Sequence, residues 1–182
     1  MATERAVCSV FIAVSVDGYI ARPDGGVDWL SRFEKPDGYP DDYYGYRVFF
    51  DSVDALVVGR KTYDLVRSFE SWPYGSKRCV VMTHHPLPAR NAEEFFSGEP
   101  AGLVERLRAE GVRRIYVDGG DVIRQFFSAS LIDDLTISVI PVVLGAGVRL
   151  FESGLPQRWL ELVSSRSWSN GLTQLKYTVA PA

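Results

Sequence analysis

Residues 7–16, Val-Cys-Ser-Val-Phe-Ile-Ala-Val-Ser-Val, are almost continuously apolar. A strand of that kind has no face to give to water, so it belongs inside a parallel sheet with helices packed above and below. Asp54–Gly59 (DALVVG), Arg78–Thr83 (RCVVMT) and Leu135–Val143 (LTISVIPVV) have the same character, and Ile115-Tyr116-Val117 is a shorter run that stops at Asp118. The segments between these runs include helical spacings. The chain therefore reads as an α/β protein built on a mostly parallel sheet.

Punctuation along the chain supports that reading. Asp17-Gly18 breaks the first run, Tyr19-Ile20-Ala21 resumes it, and Pro23-Asp24-Gly25-Gly26 makes a turn before Val27-Asp28-Trp29-Leu30. Phe33 to Asp42 is polar with two prolines and a glycine, which reads as a mobile loop, and Tyr43–Asp51 has helical spacing. Arg60–Val66 starts a helix with Thr62 in its first turn, only Phe95-Phe96 has structural character between His85 and Pro100, and Leu103, Val104 and Leu107 mark an amphipathic helix closed by Gly111. Near the end, Trp159–Arg166 and Leu172–Val179 flank Ser169-Asn170-Gly171, the pattern of an antiparallel hairpin. No repeat or linker divides residues 1–182, so one domain is expected.

Several function classes are disfavoured. With a net charge of −3, a pI near 5.4 and no basic run, nucleic acid is an unpromising partner. Cys8 and Cys79, the two cysteines, both sit in apolar runs and read as buried free thiols. No apolar stretch reaches bilayer length and the first residues lack a signal-peptide layout, so no membrane association and a reducing cytoplasm are expected. His84 and His85 are adjacent on an extended segment, where their side chains diverge, so no metal site is expected.

In open α/β sheets ligands bind at the carboxyl ends of the parallel strands. Those ends carry Ala13 to Asp17, Gly59-Arg60-Lys61-Thr62, Thr83-His84, Gly119-Gly120-Asp121 and Ile140-Pro141. Two cations and a hydroxyl at Gly59–Thr62 suit a phosphate. The Gly119-Gly120 pair, with Val122 opening a helix, lets a backbone approach one closely, or is simply a tight connection. Several such ends on one sheet edge favour an extended polyanion such as a dinucleotide. Neither a Walker lysine loop nor GxGxxG is present.

AVSVDGYIARPDGGVDWL, VVGRKTY, VMTHHP, IYVDGGDVIRQF and ISVIPVVLGAGVRLF, in that order, resemble the dihydrofolate reductase superfamily, and most nearly the branch containing the riboflavin-biosynthesis reductase C-terminal domain. The resemblance implies a three-layer fold with an eight-stranded, mostly parallel sheet and an antiparallel C-terminal hairpin. It also implies NADPH across the strand ends, a small-molecule substrate and a homodimer. Ala13 would meet the nicotinamide amide and Ile20 would pack by the ring. Gly59, Arg60, Lys61 and Thr62 would hold the pyrophosphate and 2′-phosphate, and Thr83 and His84 would line the adenosine side. Gly119 and Gly120, joined by a cis peptide, would lie against pyrophosphate and nicotinamide, followed by Asp121 and Val122. Riboflavin-type relatives have a lysine where this chain has Phe11.

The implied chemistry is hydride transfer to a planar heterocycle of pterin or pyrimidine type, roofed by Trp29, Tyr43 and Tyr44 with Ile140 beside it. The proton would come from water, Asp17 or Asp42. Asp17 reads alternatively as an Asx-turn cap, and the aromatic residues as ordinary core. The competing function is a nucleotide-binding module of the same fold without turnover.

Overall fold

A computed structural model describes residues 5–33 and 43–180. Asp42 lies outside those residues. Seven strands carry the architecture: β1 (Val7–Ser15), β3 (Ala55–Gly59), β4 (Arg78–Met82), β5 (Glu94–Phe96), β6 (Arg114–Asp118), β7 (Asp134–Ile140) and β10 (Thr173–Val179). With β9 (Leu160–Ser167) they form an eight-stranded sheet in the order β5-β4-β3-β6-β1-β7-β10-β9. The order reflects parallel pairing from β5 to β7, while β10 runs antiparallel to both β7 and β9. A separate two-stranded ribbon pairs β2 (Tyr19–Ala21) with β8 (Val148–Arg149).

The helices cover the sheet as the continuous apolar runs require. On one face, α3 (Pro100–Ala109) and α4 (Gly120–Ser128) bury Leu103, Leu107, Ile123 and Phe126 against Cys8, Val10, Val57 and Val117. On the other, α1 (Tyr46–Asp51) and α2 (Arg60–Val66) bring Phe49, Tyr63 and Val66 against Leu56, Val58, Val81 and Tyr116. β3 is buried along its whole length. Fully burying one such valine or leucine contributes roughly 1.5–3 kcal/mol, which is why these positions tolerate nothing polar without a partner.

A third, smaller core joins the chain before the 34–42 segment to the C-terminal hairpin: Trp29, Ile140, Trp168 and Leu172 are buried together, with Tyr43 and Tyr44 packed on them. Asn170 donates to the Tyr44 hydroxyl at 2.8 Å and Gln174 to the Tyr44 carbonyl at 3.1 Å. The helix expected over Tyr43–Asp51 starts only at Tyr46, because Gly45 takes a left-handed conformation (φ 78°) ahead of it.

Both cysteines are free and buried, and burial pushes each thiol up to about 12. A buried acid, Glu93, is 4% exposed and accepts from the Tyr63 hydroxyl at 2.5 Å and from the Arg90 and Asn91 amides at 2.9 and 2.7 Å. It staples the entry to β5 onto α2. The peptide between Gly119 and Gly120 is trans, as are all peptide bonds among the described residues, contrary to the cis bond implied by the resemblance. The turn is made instead by Gly119 at φ 93° and ψ 132°, a conformation open to glycine alone at low cost.

Candidate active site

The cleft exists because two neighbouring strands part company. β1 pairs with β6 only through Val7↔Arg114, Cys8↔Ile115 and Ser9↔Tyr116. Beyond Ser9 the ladder stops, leaving Phe11, Ile12 and Ala13 on one side and Asp118, Gly119 and Gly120 on the other. The gap opens into a cavity of about 800 Å³. Val148 of the β2–β8 ribbon and Ile20 wall it, together with the Pro23–Val27 turn and Leu30, and Lys61 and Thr62 of α2 stand at its phosphate-friendly rim.

Backbone chemistry favours an anion there. Gly120 opens α4, whose first amides have no partner within the helix, and Gly119, Gly120 and Asp121 line the cleft at that end. A Cβ on Gly119 would run into the Thr62 hydroxyl, and one on Gly120 would meet Ile20 Cδ1 at 2.8 Å. Glycine at both positions therefore brings the β6–α4 turn close to α2 and β2 at once. Such close-approaching backbone, with a lysine and a threonine beside it, fits the phosphates of a nicotinamide dinucleotide. Ala13, Ile20, Gly59, Lys61, Thr62, Gly119, Gly120 and Asp121 all line the cavity.

Other expected contacts lie elsewhere. Arg60 donates from Nε to Asp64 at 2.9 Å and from a terminal nitrogen to the His85 carbonyl at 2.7 Å, which holds its guanidinium against α2 and the β4–β5 connection, and it is not among the cavity-lining residues. The Thr83 hydroxyl accepts from the His85 amide, and the His84 ring bonds Ser97 Oγ at 2.7 Å. Val122 is buried in the main core and packs beneath Gly59. Trp29, Tyr43, Tyr44 and Ile140 belong to the third core, not to the cavity lining.

Asp17 is also not among the lining residues. Its carboxylate accepts from Ser15 Oγ at 2.7 Å, from the Gly145 amide at 2.7 Å and from the Leu144 amide at 3.1 Å. The Ser15 hydrogen bond, aided by the two amides, holds it down at about 2. The residue ties the end of β1 to the β7–β8 loop, and a carboxylate so satisfied has no proton to give.

Four acids line the cleft, Asp24, Asp64, Asp118 and Asp121, and of these Asp118 reads from the sequence only as the residue ending a strand. Tyr116 and Asp118 share one face of β6, two residues apart, and the Tyr116 hydroxyl donates to the Phe11 carbonyl at 2.9 Å across the gap. Burial raises the Asp118 carboxyl to about 6, against a single stabilising bond from the Gly119 amide at 2.9 Å. No ion pair to it is present among the described residues. A carboxylate at the end of a buried strand, immediately before a Gly-Gly turn, was the available signal. Ile12, Leu30, Tyr116 and Val148 likewise line the cavity unforeseen, and Phe11, which stands where riboflavin-type relatives have a lysine, lines it too.

Among the described residues no cluster of three or more His, Cys, Asp or Glu is placed to hold a metal, and no helix is long and apolar enough to cross a membrane.

Residues 7–174 match the family described as the RibD C-terminal domain. The chain is 36% identical to the uncharacterized protein YwjB of Bacillus subtilis (strain 168) over 174 residues, 94% of this chain and 97% of that protein. A solved structure from Shewanella sp. PV-4, named for riboflavin biosynthesis, superimposes with a TM-score of 0.86 at 32% identity over 96% of this chain and 99% of that one. Dihydrofolate reductase from Enterococcus faecalis, solved in complex with NADP(H) and RAB-propyl, shares the fold at a TM-score of 0.64 and 14% identity, covering 96% of this chain and 97% of that one. With the family match spanning nearly the whole chain and the fold shared at a TM-score of 0.86, the chain belongs to the RibD C-terminal domain family, the riboflavin-reductase branch of the dihydrofolate reductase superfamily.

Proposed function

We propose that this protein is an NADPH-dependent reductase acting on a small planar heterocycle of pterin or pyrimidine type, with Asp118 as its acid. The observation that carries the reading is the position of Asp118: a carboxyl raised to about 6 by burial, in the cleft, beside the glycine turn that would receive the cofactor. A general acid works best with a pKa near the operating pH.

A bound NADPH supplies the hydride; the rest of the work falls to this chain. Lys61, Thr62 and the backbone at Gly119-Gly120 hold the phosphates, while Ala13 and Ile20 flank the ring. Phe11 offers aromatic surface to a planar substrate, and the buried Tyr116 holds the Phe11 backbone through its hydroxyl. Asp118 holds a proton and delivers it to the acceptor nitrogen of a C=N bond as hydride reaches the carbon. The product gains one C–H and one N–H, and the carboxylate regains its proton from water. Since one proton must be shared between Asp118 and substrate, turnover declines as pH rises above about 6.

The homodimer belongs to this proposal as well. Trp159, Leu162 and Val163, on and beside the edge strand β9, are more than half exposed and give a second copy an apolar surface. The chain would act as one domain in a reducing cytoplasm.

Fluorescence titration with NADPH and NADH at matched ionic strength tests the cofactor half. NADPH-selective binding supports the reading, and binding of neither removes it. Oxidation of NADPH by a panel of pterins and pyrimidines tests turnover. A protein that binds NADPH tightly yet oxidises it with none of them is the binding module instead.

A further inference from the structure

The β2–β8 ribbon walls the cleft through Ile20 and Val148, yet it forms a sheet of its own, outside the eight-stranded one. Two strands alone are marginal in water, so the place of this wall has to be set from outside the ribbon. Arg124, in the second turn of α4, is built to set it. Its side chain is only 14% exposed. One guanidinium nitrogen donates to the Asp121 carboxylate a turn earlier. The other, Nη1, donates to the Arg149 carbonyl of β8 at 2.6 Å and lies 3.5 Å from Glu152 Oε1. A Cβ on Gly120 would meet Ile20 Cδ1 at 2.8 Å, Arg124 Nη1 at 3.0 Å and Val148 Cγ1 at 3.5 Å. The guanidinium, two cleft-lining side chains of the ribbon and the glycine turn therefore converge on one point, although Arg124 itself is not among the lining residues.

From this we infer that Arg124 is a positioning residue: by holding the Arg149 carbonyl it fixes the gap between the ribbon and the Gly119-Gly120 turn, and with it the fit of the nicotinamide half of the dinucleotide. The inference rests on the cofactor reading of the cleft and adds the residue that sets the width of one end. An arginine three residues after an aspartate is ordinarily a surface ion pair of little worth. Burial and an acceptor on a separate element set this one apart. With Asp121 and Glu152 beside it, its charge is offset and its geometry is what remains. A lysine keeps the charge but loses the planar fork that serves Asp121 and Arg149 together. Leu150, buried in the main core, and the Phe151 ring, 5.4 Å from that of Phe127, keep the segment attached without Arg124. The substitution therefore moves the ribbon without unfolding the chain.

Isothermal titration of the full chain with NADP⁺ and with 2′-phospho-ADP-ribose, the same molecule without its nicotinamide, tests the inference. Arg124→Lys should weaken NADP⁺ by about tenfold, the worth of one hydrogen bond from a charged group, and 2′-phospho-ADP-ribose by less than about twofold. Hydrogen exchange of the ligand-free variant should be faster in β2 and β8 than in the unaltered protein, and equal in β3 and β6. Should Arg124→Lys fail to fold, Arg124→Gln gives the same readouts. Equal weakening of both ligands overturns the inference, because a role in charge or in general stability touches the phosphate half as well. Unchanged affinity for NADP⁺, or unchanged exchange in the ribbon, also overturns it. If NADP⁺ does not bind the unaltered protein, the cofactor reading fails, and hydrogen exchange by itself decides whether Arg124 holds the ribbon.

Discussion

Asp17 and Asp118 follow adjacent parallel strands, one just beyond β1 and the other at the end of β6, and their surroundings drive them in opposite directions. Asp17 is held near 2 by the Ser15 hydroxyl and two loop amides. Asp118 is lifted to about 6 by burial, with one amide in compensation. The first is fixed as an ion and spends its hydrogen-bonding capacity on holding a loop. The second is left poised at a cost to the fold. Two like groups whose environments separate their pKa values are how one site divides structural from proton-handling roles.

The largest test of that contrast is Asp118→Asn, which should lower kcat/KM by about 10²–10⁴-fold, the range for loss of a general acid. The same change should stabilise the protein, because a carboxyl raised from 3.8 to about 6 represents up to about 3 kcal/mol of strain at neutral pH. The sign follows from linkage. The folded state binds more protons than the unfolded one between about 4 and 6, so wild-type stability falls as pH rises through that window, and the variant lacks the fall. Denaturant titrations at pH 4 and 7 read both curves; equal pH dependence would break the contrast.

Glu93 is a third acid of the Asp17 kind, and it should be next in size. Burial pushes it up, but the Tyr63 hydroxyl and the Arg90 and Asn91 amides more than compensate and bring it to about 2. Glu93→Ala strands three donors and should cost about 2–3 kcal/mol in urea unfolding, with little change in cofactor affinity.

Asp17→Asn should lower the melting temperature by less, since the half-buried amide keeps part of the hydrogen bonding, and leave the pH–rate profile in place. Its folded pKa is depressed, so its contribution is fully present above about 4 and lost as pH falls towards about 2. A melting difference between wild type and variant that vanishes at pH 2 would sharpen the assignment. Loss of turnover without loss of stability would reverse it.

The smallest effect separates two neighbouring cations. Lys61 lines the cleft and its side chain is 83% exposed, whereas Arg60 is engaged by Asp64 and the His85 carbonyl. Lys61→Ala should weaken NADPH by about fivefold and NADH less, while Arg60→Ala should change both by under twofold. Paired fluorescence titrations distinguish them.

The layers of this fold were legible because burial leaves a linear trace. A strand covered on both faces must read as a continuous apolar run, as Val7–Val16 and Ala55–Val58 do, and Asn170-Gly171 announced the closing hairpin. The glycine turn before α4 was equally visible, since backbone that must approach its neighbours admits no side chain. What one dimension did not hold was direction. Whether Arg60 points to a ligand or to Asp64, and whether Tyr44 roofs a site or joins Trp168, depends on partners that lie 4 and 124 residues away in the chain. The exchange of roles between Asp17 and Asp118 had the same origin. The sequence determined that acids stand at the strand ends; the splaying of β1 from β6 after Ser9 decided which of them a ligand can meet, because that gap arises from packing on both sides of the sheet and leaves no mark on either strand alone.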